Sequence, residues 1–246
     1  MSILLNSIKS VIFALYGLYV WLIFVVCSLI VVFLLMIVPG LNARRSLTRR
    51  GAMFALTLCG IRPKARGMEN LPDEACVLVA NHASYFDGIV MTALLPPQFQ
   101  YVVKHEMTAV PIAGYLLKRI GTQFVRRGHA SSRSGDARRI MKSARNKQST
   151  VFFPEGTFSA EPGLKRFRNG AFATAASSGM PTVPAVIHGT RHILPAKKWL
   201  ARPGSIDVVI KPPHRVGIDA KDAEQLKFLC RQSILADLNE PDTLAG

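Results

Sequence analysis

This sequence has little acidic charge, few cysteines, and no zinc-finger or RNA-binding motif. Its 246 residues include 31 Lys and Arg against 15 Asp and Glu, a formal net charge of +16. Because no nucleic-acid-binding motif accompanies this charge, an anionic lipid surface is a better candidate partner than nucleic acid. The four cysteines form no C-x-x-C pair. We expect them to be buried small apolar residues in a reducing compartment.

Charge is also missing from one long segment near the N-terminus. Val11 to Val38 contains no charged residue, whereas about 20 apolar residues suffice to cross a bilayer core as a helix. A segment this long is expected to tilt, to continue into the interface, or to fold back as a helical hairpin. A cleaved signal peptide is disfavoured, because the apolar run is too long and no Ala-x-Ala site follows it.

A basic stretch follows the apolar segment. Pro39-Gly40 ends the run, and four arginines come soon after it: Arg44, Arg45, Arg49 and Arg50. Arginines beside a membrane segment favour the cytoplasmic side and attract anionic head groups. We therefore expect residues 1–60 to form a membrane anchor with a basic interfacial linker. Residues 61–246 are expected to form one domain on the cytoplasmic face of the inner membrane.

The remainder of the sequence alternates short apolar runs with helical patterns. The strand candidates are Cys76–Ala80, Gln100–Val103, Thr122–Val125, Thr150–Phe153, Val183–Ile187 and Ile206–Ile210. The helix candidates are Leu47–Gly60, Gly88–Leu95, Pro111–Ile120, Ser134–Asn146, Gly170–Ser178 and Ala220–Leu238. This alternation indicates an α/β fold, in which a central mostly parallel or mixed sheet is covered by helices. Ligands of such sheets bind where strands end and loops begin.

The end of the first apolar strand carries a candidate general base. There, the segment Asn81-His82-Ala83-Ser84-Tyr85-Phe86-Asp87 leads from the strand to a helix. This spacing allows Asp87 to bond one ring nitrogen of His82 and to leave the other nitrogen basic. No G-x-S-x-G elbow or paired cysteine supplies a protein nucleophile, so the substrate's own hydroxyl is expected to attack. Taken alone, the spacing is more typical of a helix cap.

A second polar turn follows the strand Thr150–Phe153. In the segment Phe153–Ser159, Gly156 would let a ligand approach backbone N–H groups, and Glu155 places a carboxylate at the sheet edge. Three basic residues come next, Lys165, Arg166 and Arg168, ahead of a helix that opens at Asn169-Gly170. Arginines at a helix N-terminus are a common phosphate site. A plain β-turn with a charged surface loop explains the same residues equally well.

Together these segments resemble the glycerolipid acyltransferase family, in particular the 1-acylglycerol-3-phosphate (lysophosphatidic acid) acyltransferases. The family's Asn-His-x-Ser-x-x-Asp motif is matched by Asn81, His82, Ser84 and Asp87. Gly121–Arg127 approximates its second motif, Phe153–Ser159 corresponds to its third, Phe-Pro-Glu-Gly-Thr-Arg-Ser, and Val183–Gly189 to its fourth. Order and spacing agree from residue 60 to residue 215.

The resemblance implies transfer of a fatty acyl group from acyl-CoA or acyl-carrier protein to the sn-2 hydroxyl of lysophosphatidic acid, giving phosphatidic acid. His82 would be the general base, and Asp87 would orient it. The implied substrate-binding residues are Lys104 and Arg127 at the phosphate and Glu155, Gly156 and Thr157 in the third motif, to which the helix N-terminus adds Arg168. No cofactor and no metal are expected, since His82, Asp87 and His105 match no common ligand spacing.

Departures from the family pattern concern the acceptor more than the chemistry. Phe158 stands where the family usually has Arg, Gln123 interrupts an apolar motif, and Arg126 replaces a frequent Asp. Phe158 leaves open a different lysophospholipid or a lipid amide as the acceptor. The alternative from another class is a non-catalytic basic membrane protein that binds anionic lipid or nucleic acid.

Overall fold

The computed structural model describes residues 2–126, 140, 148–215 and 220–244. At residues 2–6, 220 and 221 it describes the backbone alone. Two expectations fall outside this range. Arg127 and all of the predicted helix Ser134–Asn146 except Ile140 lie outside the described residues.

The apolar N-terminal segment is one continuous helix, α1 (Ser2–Ile37). It contains no proline that would remove a helical hydrogen bond, so the apolar run does not fold back within itself. The chain turns instead at Pro39-Gly40, where Gly40 has a φ of +77°, and continues as α2 (Leu41–Leu58). The helical hairpin is therefore formed by α1 and α2.

The arginines expected in an interfacial linker lie on α2, and three of them, Arg44, Arg45 and Arg49, bond the protein itself. Arg45 is 5% exposed, and its Nε donates a hydrogen bond to the Ile120 carbonyl at 2.9 Å. Arg49 donates to the Ala93 carbonyl at 3.3 Å. The segment after Gly40 is thus a packed helix rather than a linker, and the Arg45 guanidinium is not free for lipid head groups.

The two faces of α1 differ in their surroundings. One face buries a stripe at helical spacing, Val20, Cys27, Val31 and Leu35. The opposite face exposes large apolar side chains, among them Leu15, Leu22, Ile30, Phe33 and Ile37. Ser7–Ile37 is long and apolar enough to cross a membrane, a property that buried core helices and signal sequences share. The exposed stripe needs an apolar environment that the described residues do not supply.

A mixed sheet forms the centre of the domain, which confirms the predicted α/β class. Within the described residues its strands are β1 (Lys64–Arg66), β2 (Val77–Ala80), β3 (Gln100–Lys104), β4 (Gln123–Val125), β5 (Thr150–Phe152), β6 (Thr182–His188) and β7 (Asp207–Ile210). They lie in the order β1-β7-β6-β2-β5-β3-β4. All neighbours pair in parallel except β6 and β7, which are antiparallel.

The predicted strands are found with their ends shifted by at most one residue. The central strand β2 is buried at all four positions, as expected for a strand covered on both faces. β1 was missed, because Lys-Ala-Arg at the sheet edge has no apolar pattern to reveal it. Its pairing with β7 depends on residues more than 140 positions away, which no local pattern encodes.

Helices cover both faces of the sheet. After α2, the described helices are α3 (Phe86–Leu94), α4 (Ala113–Arg119), α5 (Gly170–Ser178), α6 (Thr190–Ile193) and α7 (Ala220–Leu235), with 3₁₀ turns at Met68–Asn70 and His105–Ala109. One core cluster joins α1, α2 and α3 to the face of β2 that carries Leu78. The other joins α5 and α7 to the face that carries Val77 and Val79. Helices α1 and α2 therefore lie on the opposite side of the sheet from α7.

Candidate active site

The turn between β2 and α3 holds His82 and Asp87 together. Asp87 is fully buried in the first turn of α3. Its Oδ2 accepts hydrogen bonds from the backbone N–H groups of Ala83 at 2.7 Å and Ser84 at 2.9 Å, and it lies 2.8 Å from Nδ1 of His82. A carboxylate at a helix N-terminus both closes the turn and suits the helix dipole. One side chain thus shapes the turn and holds the imidazole.

Aromatic rings fix the other surfaces of His82. Phe153 stacks on the imidazole with centroids 4.5 Å apart, and Phe158 contacts it edge-on at 4.6 Å. The His82 side chain keeps 17% of its surface exposed. A carboxylate that accepts from Nδ1 holds a proton on that nitrogen, so in the neutral imidazole Nε2 carries the lone pair. The contact with Asp87 therefore leaves Nε2 as the ring nitrogen that can act as a base.

The motif residues Asn81 and Ser84 attach the turn to β6 and to the end of α6. The Asn81 side chain donates to the Ile187 carbonyl at 3.0 Å and accepts from the Ile187 N–H at 2.7 Å, as a strand neighbour would. Ser84 donates its hydroxyl to the Leu194 carbonyl at 2.8 Å. Both side chains are buried. They explain why the motif needs an amide and a hydroxyl at these positions.

Glu155 connects the two motif loops through backbone contacts. Its Oε1 accepts the N–H of His82 at 2.6 Å, and its Oε2 accepts the N–H of Lys165 at 2.9 Å. Burial raises the pKa of Glu155 to about 7, although these two N–H groups lower it. Gly156 has a φ of +73° and donates its own N–H to the Phe153 carbonyl at 2.9 Å. Both residues thus have protein partners where the sequence suggested a ligand.

Three of the remaining predicted binding residues, Lys104, Thr157 and Arg168, are exposed on segments at the carboxyl edge of the sheet. Lys104 is exposed at the end of β3, next to Val125 of the parallel strand β4. Thr157 is exposed in the third-motif turn. Arg168 is exposed, and an open cleft that includes Glu155, Lys165, Arg166 and Arg168 lies beside it. Arg127 lies outside the described residues. Because β2, β3, β4 and β5 are parallel, the residues that follow them meet at one edge.

A clamp that the sequence did not reveal fixes the third-motif loop. Arg191 donates to the carbonyls of Ser159 and Glu161 and forms a two-point pair with Glu240, at 2.7 and 2.9 Å. Glu240 also accepts the Gly163 N–H at 2.7 Å. These contacts join a helix after β6 to the C-terminal segment. No local spacing signals them, since Arg191 and Glu240 are 49 residues apart.

The cysteines take no part in this arrangement, and its His82 and Asp87 gain no third metal ligand among the described residues. All four cysteines are free and buried, as expected. Among the described residues, no group of three or more His, Cys, Asp or Glu side chains could hold a metal ion. His105 begins a 3₁₀ turn, where its Nε2 lies 3.5 Å from the Arg126 guanidinium.

The fold and the site define a class. A mixed α/β sheet whose carboxyl edge carries a histidine–carboxylate pair and nearby cations is suited to removing a proton from a hydroxyl beside an anionic group. A comparison with known families gives the same class more specifically. The profile of the family described as Acyltransferase matches residues 62–188. The chain belongs to the acyltransferase family.

Curated relatives include enzymes with two different acceptors. The 1-acyl-sn-glycerol-3-phosphate acyltransferase BAT2 of Brassica napus chloroplasts is 33% identical over 151 residues, which cover 60% of this chain and 44% of that protein. A lyso-ornithine lipid O-acyltransferase of Pseudomonas aeruginosa is 31% identical over 162 residues, covering 64% of this chain and 60% of that protein. The chain spans 42–53% of the length of the plant and algal relatives that it matches.

A solved structure shares the fold over nearly the whole chain. The 1-acyl-sn-glycerophosphate (LPA) acyltransferase PlsC of Thermotoga maritima superposes with a TM-score of 0.74 and covers 94% of this chain and 96% of its own. Sequence identity is 20%, so this likeness concerns the fold. It includes the N-terminal helices, which lie outside the residues matched by the family profile.

Proposed function

We propose that this protein transfers a fatty acyl group from acyl-CoA or acyl-carrier protein to the sn-2 hydroxyl of lysophosphatidic acid, giving phosphatidic acid. The observation that carries the proposal is the 2.8 Å contact between His82 and the buried Asp87 at the carboxyl edge of the sheet. It is supported by family membership and by relatives named as 1-acyl-sn-glycerol-3-phosphate acyltransferases. Positioned base catalysis of this kind contributes about 10²–10⁴-fold.

In the proposed reaction, Nε2 of His82 removes the proton of the acceptor hydroxyl as its oxygen attacks the thioester carbonyl. The imidazolium that forms is stabilised by Asp87, which already bonds Nδ1. The tetrahedral intermediate then collapses, the carbon–sulfur bond breaks, and the proton on His82 passes to the leaving thiolate. The ester product and the free thiol balance the reaction without a redox partner.

Cations at the same edge are proposed to hold the acceptor phosphate. Lys104 and Arg168 are exposed near the ends of parallel strands, and the cleft beside Glu155 adds Lys165 and Arg166. Phosphate oxygens pair well with guanidinium groups and with lysine. Arg127 and Thr157 stay in the proposal as further contacts. We assign Glu155 a positioning role, since each of its oxygens accepts one backbone N–H group, and its contact with the acceptor stays in the proposal.

A second acceptor class is favoured by one observation at Phe158. This ring contacts His82 at 4.6 Å and Tyr85 at 4.7 Å, both edge-on, so the position presents an aromatic surface rather than a cation beside the base. An acceptor whose head group lacks a free phosphate, as in a lyso-ornithine lipid, would suit this surface. The chemistry at His82 would be unchanged.

The protein is proposed to act at the cytoplasmic face of the inner membrane, with residues 1–60 as the anchor and residues 61–246 as the catalytic domain. Support comes from helix α1, which carries no charge from Val11 to its end and whose outer face is apolar. Contacts along α1 hold it to α2 and to the domain. Tyr16 donates to the carbonyl of Cys59 at the end of α2 at 2.9 Å, and Arg119 of the domain bonds the Leu35 carbonyl. If α1 crossed the bilayer with its whole surface exposed to lipid, these hydrogen bonds would have to break. We therefore propose that α1 lies in the membrane interface.

The test compares acceptors with purified full-length protein in lipid micelles. Thiol release and product lipid are followed with acyl-CoA and with acyl-carrier protein, for lysophosphatidic acid and for its phosphate methyl ester. Preference for lysophosphatidic acid is the expected result. Activity confined to the methyl ester would move the acceptor to the second class. Absence of thiol release with both donors and both acceptors would favour a non-catalytic lipid-binding protein.

A further inference from the structure

We propose that the loop Lys197–Arg202, with Trp199 at its tip, is a second membrane contact that enters the interface of an anionic phospholipid bilayer beside α1. The proposal rests on the membrane location proposed above and goes beyond it by naming a surface of the catalytic domain. It places the lipid surface next to the turn that carries His82.

Trp199 is exposed to an extent that is unusual for tryptophan. Its exposed fraction is 77%, the largest of any described large hydrophobic residue, and Leu200 beside it is 38% exposed. A single exposed apolar residue needs no explanation. Here, however, the exposed pair lies against α1 beside Trp21, which is itself 43% exposed. Tryptophan is also the side chain best suited to the boundary between lipid and water.

The loop is attached to α1 rather than extended freely into solvent. The indole N–H of Trp21 on α1 donates to the backbone carbonyl of Trp199. Leu200 lies so close to Gly17 that a Cβ at Gly17 would be 2.7 Å from the Leu200 Cβ. On its other side, the loop is tied back by the Arg202 N–H, which donates to the Ile193 carbonyl at 2.8 Å. Trp199 is therefore held next to α1, beside the exposed Trp21.

The charge of the loop complements an anionic head-group layer. Lys197, Lys198 and Arg202 flank the tip, and no acidic residue occurs from Thr190 to Ile206. Basic residues at a membrane surface that contains acidic lipid contribute about fivefold each to binding. An apolar tip with a basic surround is the composition expected of an interfacial contact.

The loop also lies close to the candidate active site. Ser84, two residues after His82, donates its hydroxyl to the Leu194 carbonyl at 2.8 Å. On α1, Trp21 bonds the loop, whereas Phe24 contacts Phe86 at 5.3 Å, next to the exposed Tyr85. Trp21 and Phe24 are separated by roughly 4.5 Å along a helix axis. A bilayer that receives Trp199 would thus present lipid acceptors beside the catalytic turn.

Fluorescence quenching by brominated lipids tests this directly, because Trp21 and Trp199 are the two tryptophans of the chain. Full-length wild type and Trp199→Phe are bound to vesicles of phosphatidylglycerol and phosphatidylcholine that carry bromine near the glycerol end of the acyl chains. We expect quenching of the Trp199 signal, obtained as the difference between the two proteins. The matched control is the double variant Trp199→Phe/Phe228→Trp. Phe228 is 59% exposed on α7, which lies on the opposite face of the sheet from α1. The tryptophan at position 228 is expected to stay unquenched.

The outcomes separate the loop from the anchor. If the protein floats with the vesicles and the Trp199 signal is unquenched, the loop contact is wrong and the membrane location stands. If the protein does not float with vesicles, both proposals fail. Equal quenching of the tryptophan at position 228 would also overturn the proposal, because it would show that the protein contacts the bilayer through no particular face.

A charge variant gives an independent test. Lys198→Gln is expected to weaken binding to phosphatidylglycerol vesicles by roughly fivefold and to leave binding to pure phosphatidylcholine unchanged. Lys227→Gln removes the same charge from α7, where Lys227 pairs with Glu224, and is the matched control. Equal losses for the two variants would show a general charge effect and contradict the proposal.

Discussion

The two loops that build the site are held in different ways. The turn Asn81–Asp87 is closed mainly by its own Asp87, within five residues of the chain. The loop that begins at Pro154 depends on Arg191 and Glu240, which lie 30 or more residues away from the atoms they bind. Glu155 joins the two. Asp87 sets the shape of the first turn locally, and Asn81 and Ser84 attach that turn to Ile187 and Leu194. The second loop should respond to substitutions at the distant Arg191 and Glu240.

The largest effect is expected at Asp87 in the turn Asn81–Asp87. Asp87→Asn replaces the acceptor at Nδ1 by a group that can donate, so His82 would present the wrong tautomer. Turnover is expected to fall by up to about 10⁴-fold, as in other His–Asp pairs. Steady-state thiol release, with circular dichroism to check folding, measures it. Near-normal turnover in a folded variant would remove Asp87 from the mechanism.

A smaller but distant effect is expected in the clamp. Arg191→Ala leaves Glu240 partly buried without its partner, since the two side chains are 15% and 19% exposed. Stability is expected to fall by about 3 kcal/mol, and turnover should fall because the third-motif loop loses its fixed position. Thermal unfolding in detergent and thiol release are the two measurements.

The matched control for the clamp is Arg215→Ala. Arg215 pairs with Glu74, but these side chains are 56% and 54% exposed, so the expected cost is about 0–1 kcal/mol. If the two variants lose equal stability and equal activity, Arg191 has no special relation to the site. Loss of stability at Arg191 with unchanged turnover would show that the loop does not need the clamp.

An intermediate change in selectivity is expected where the two loops touch. Phe158→Arg places a guanidinium beside His82, where a charge-assisted hydrogen bond to a phosphate contributes roughly tenfold or more. The ratio of kcat/KM for lysophosphatidic acid to that for its methyl ester should rise by this factor. Phe158→Leu, which stays apolar, should leave the ratio unchanged. A rise in both variants would mean that removal of the ring, not the new charge, alters selectivity.

The last expected effect is the pH dependence of stability at Glu155. Burial raises its pKa from an unfolded value near 4.5 to about 7, so the folded protein binds a proton more tightly than the unfolded chain. This contribution is fully present below pH 4.5 and is lost as the pH rises through 7. The stability difference between wild type and Glu155→Gln should therefore fall from pH 4.5 to pH 7. A difference that is flat or rises over this range would contradict the assignment.

The sequence predicted what is local and missed what is distant. Apolar runs such as Cys76–Ala80 predicted the strands, because burial on both faces requires continuous apolar residues. The pairing of His82 with Asp87 followed from their spacing, since both belong to one turn. The clamp of Arg191 with Glu240, the edge strand β1 and the internal role of Arg45 could not be predicted. Each depends on contacts between residues far apart in the chain, and a single sequence carries no local signal for them.

Glu155 and Gly156 show a similar limit in assigning roles to motif residues. Their types and spacing suggested ligand contacts, and the family resemblance implied the same. In the structure, the Glu155 oxygens accept the N–H groups of His82 and Lys165, and the Gly156 N–H donates to the Phe153 carbonyl. A sequence motif marks residues that the site needs. It does not separate those that touch the substrate from those that hold the loops.

The most direct test of the account is the rate of acyl transfer by His82→Ala. Wild type and variant are compared in single-turnover experiments at saturating acyl-CoA with lysophosphatidic acid in micelles, and thermal unfolding is recorded for both. The account predicts a fall of about 10²–10⁴-fold with little change in unfolding temperature, since Asp87 still accepts two backbone N–H groups. A folded variant whose rate stays within threefold of wild type would contradict the assignment of His82 as the general base.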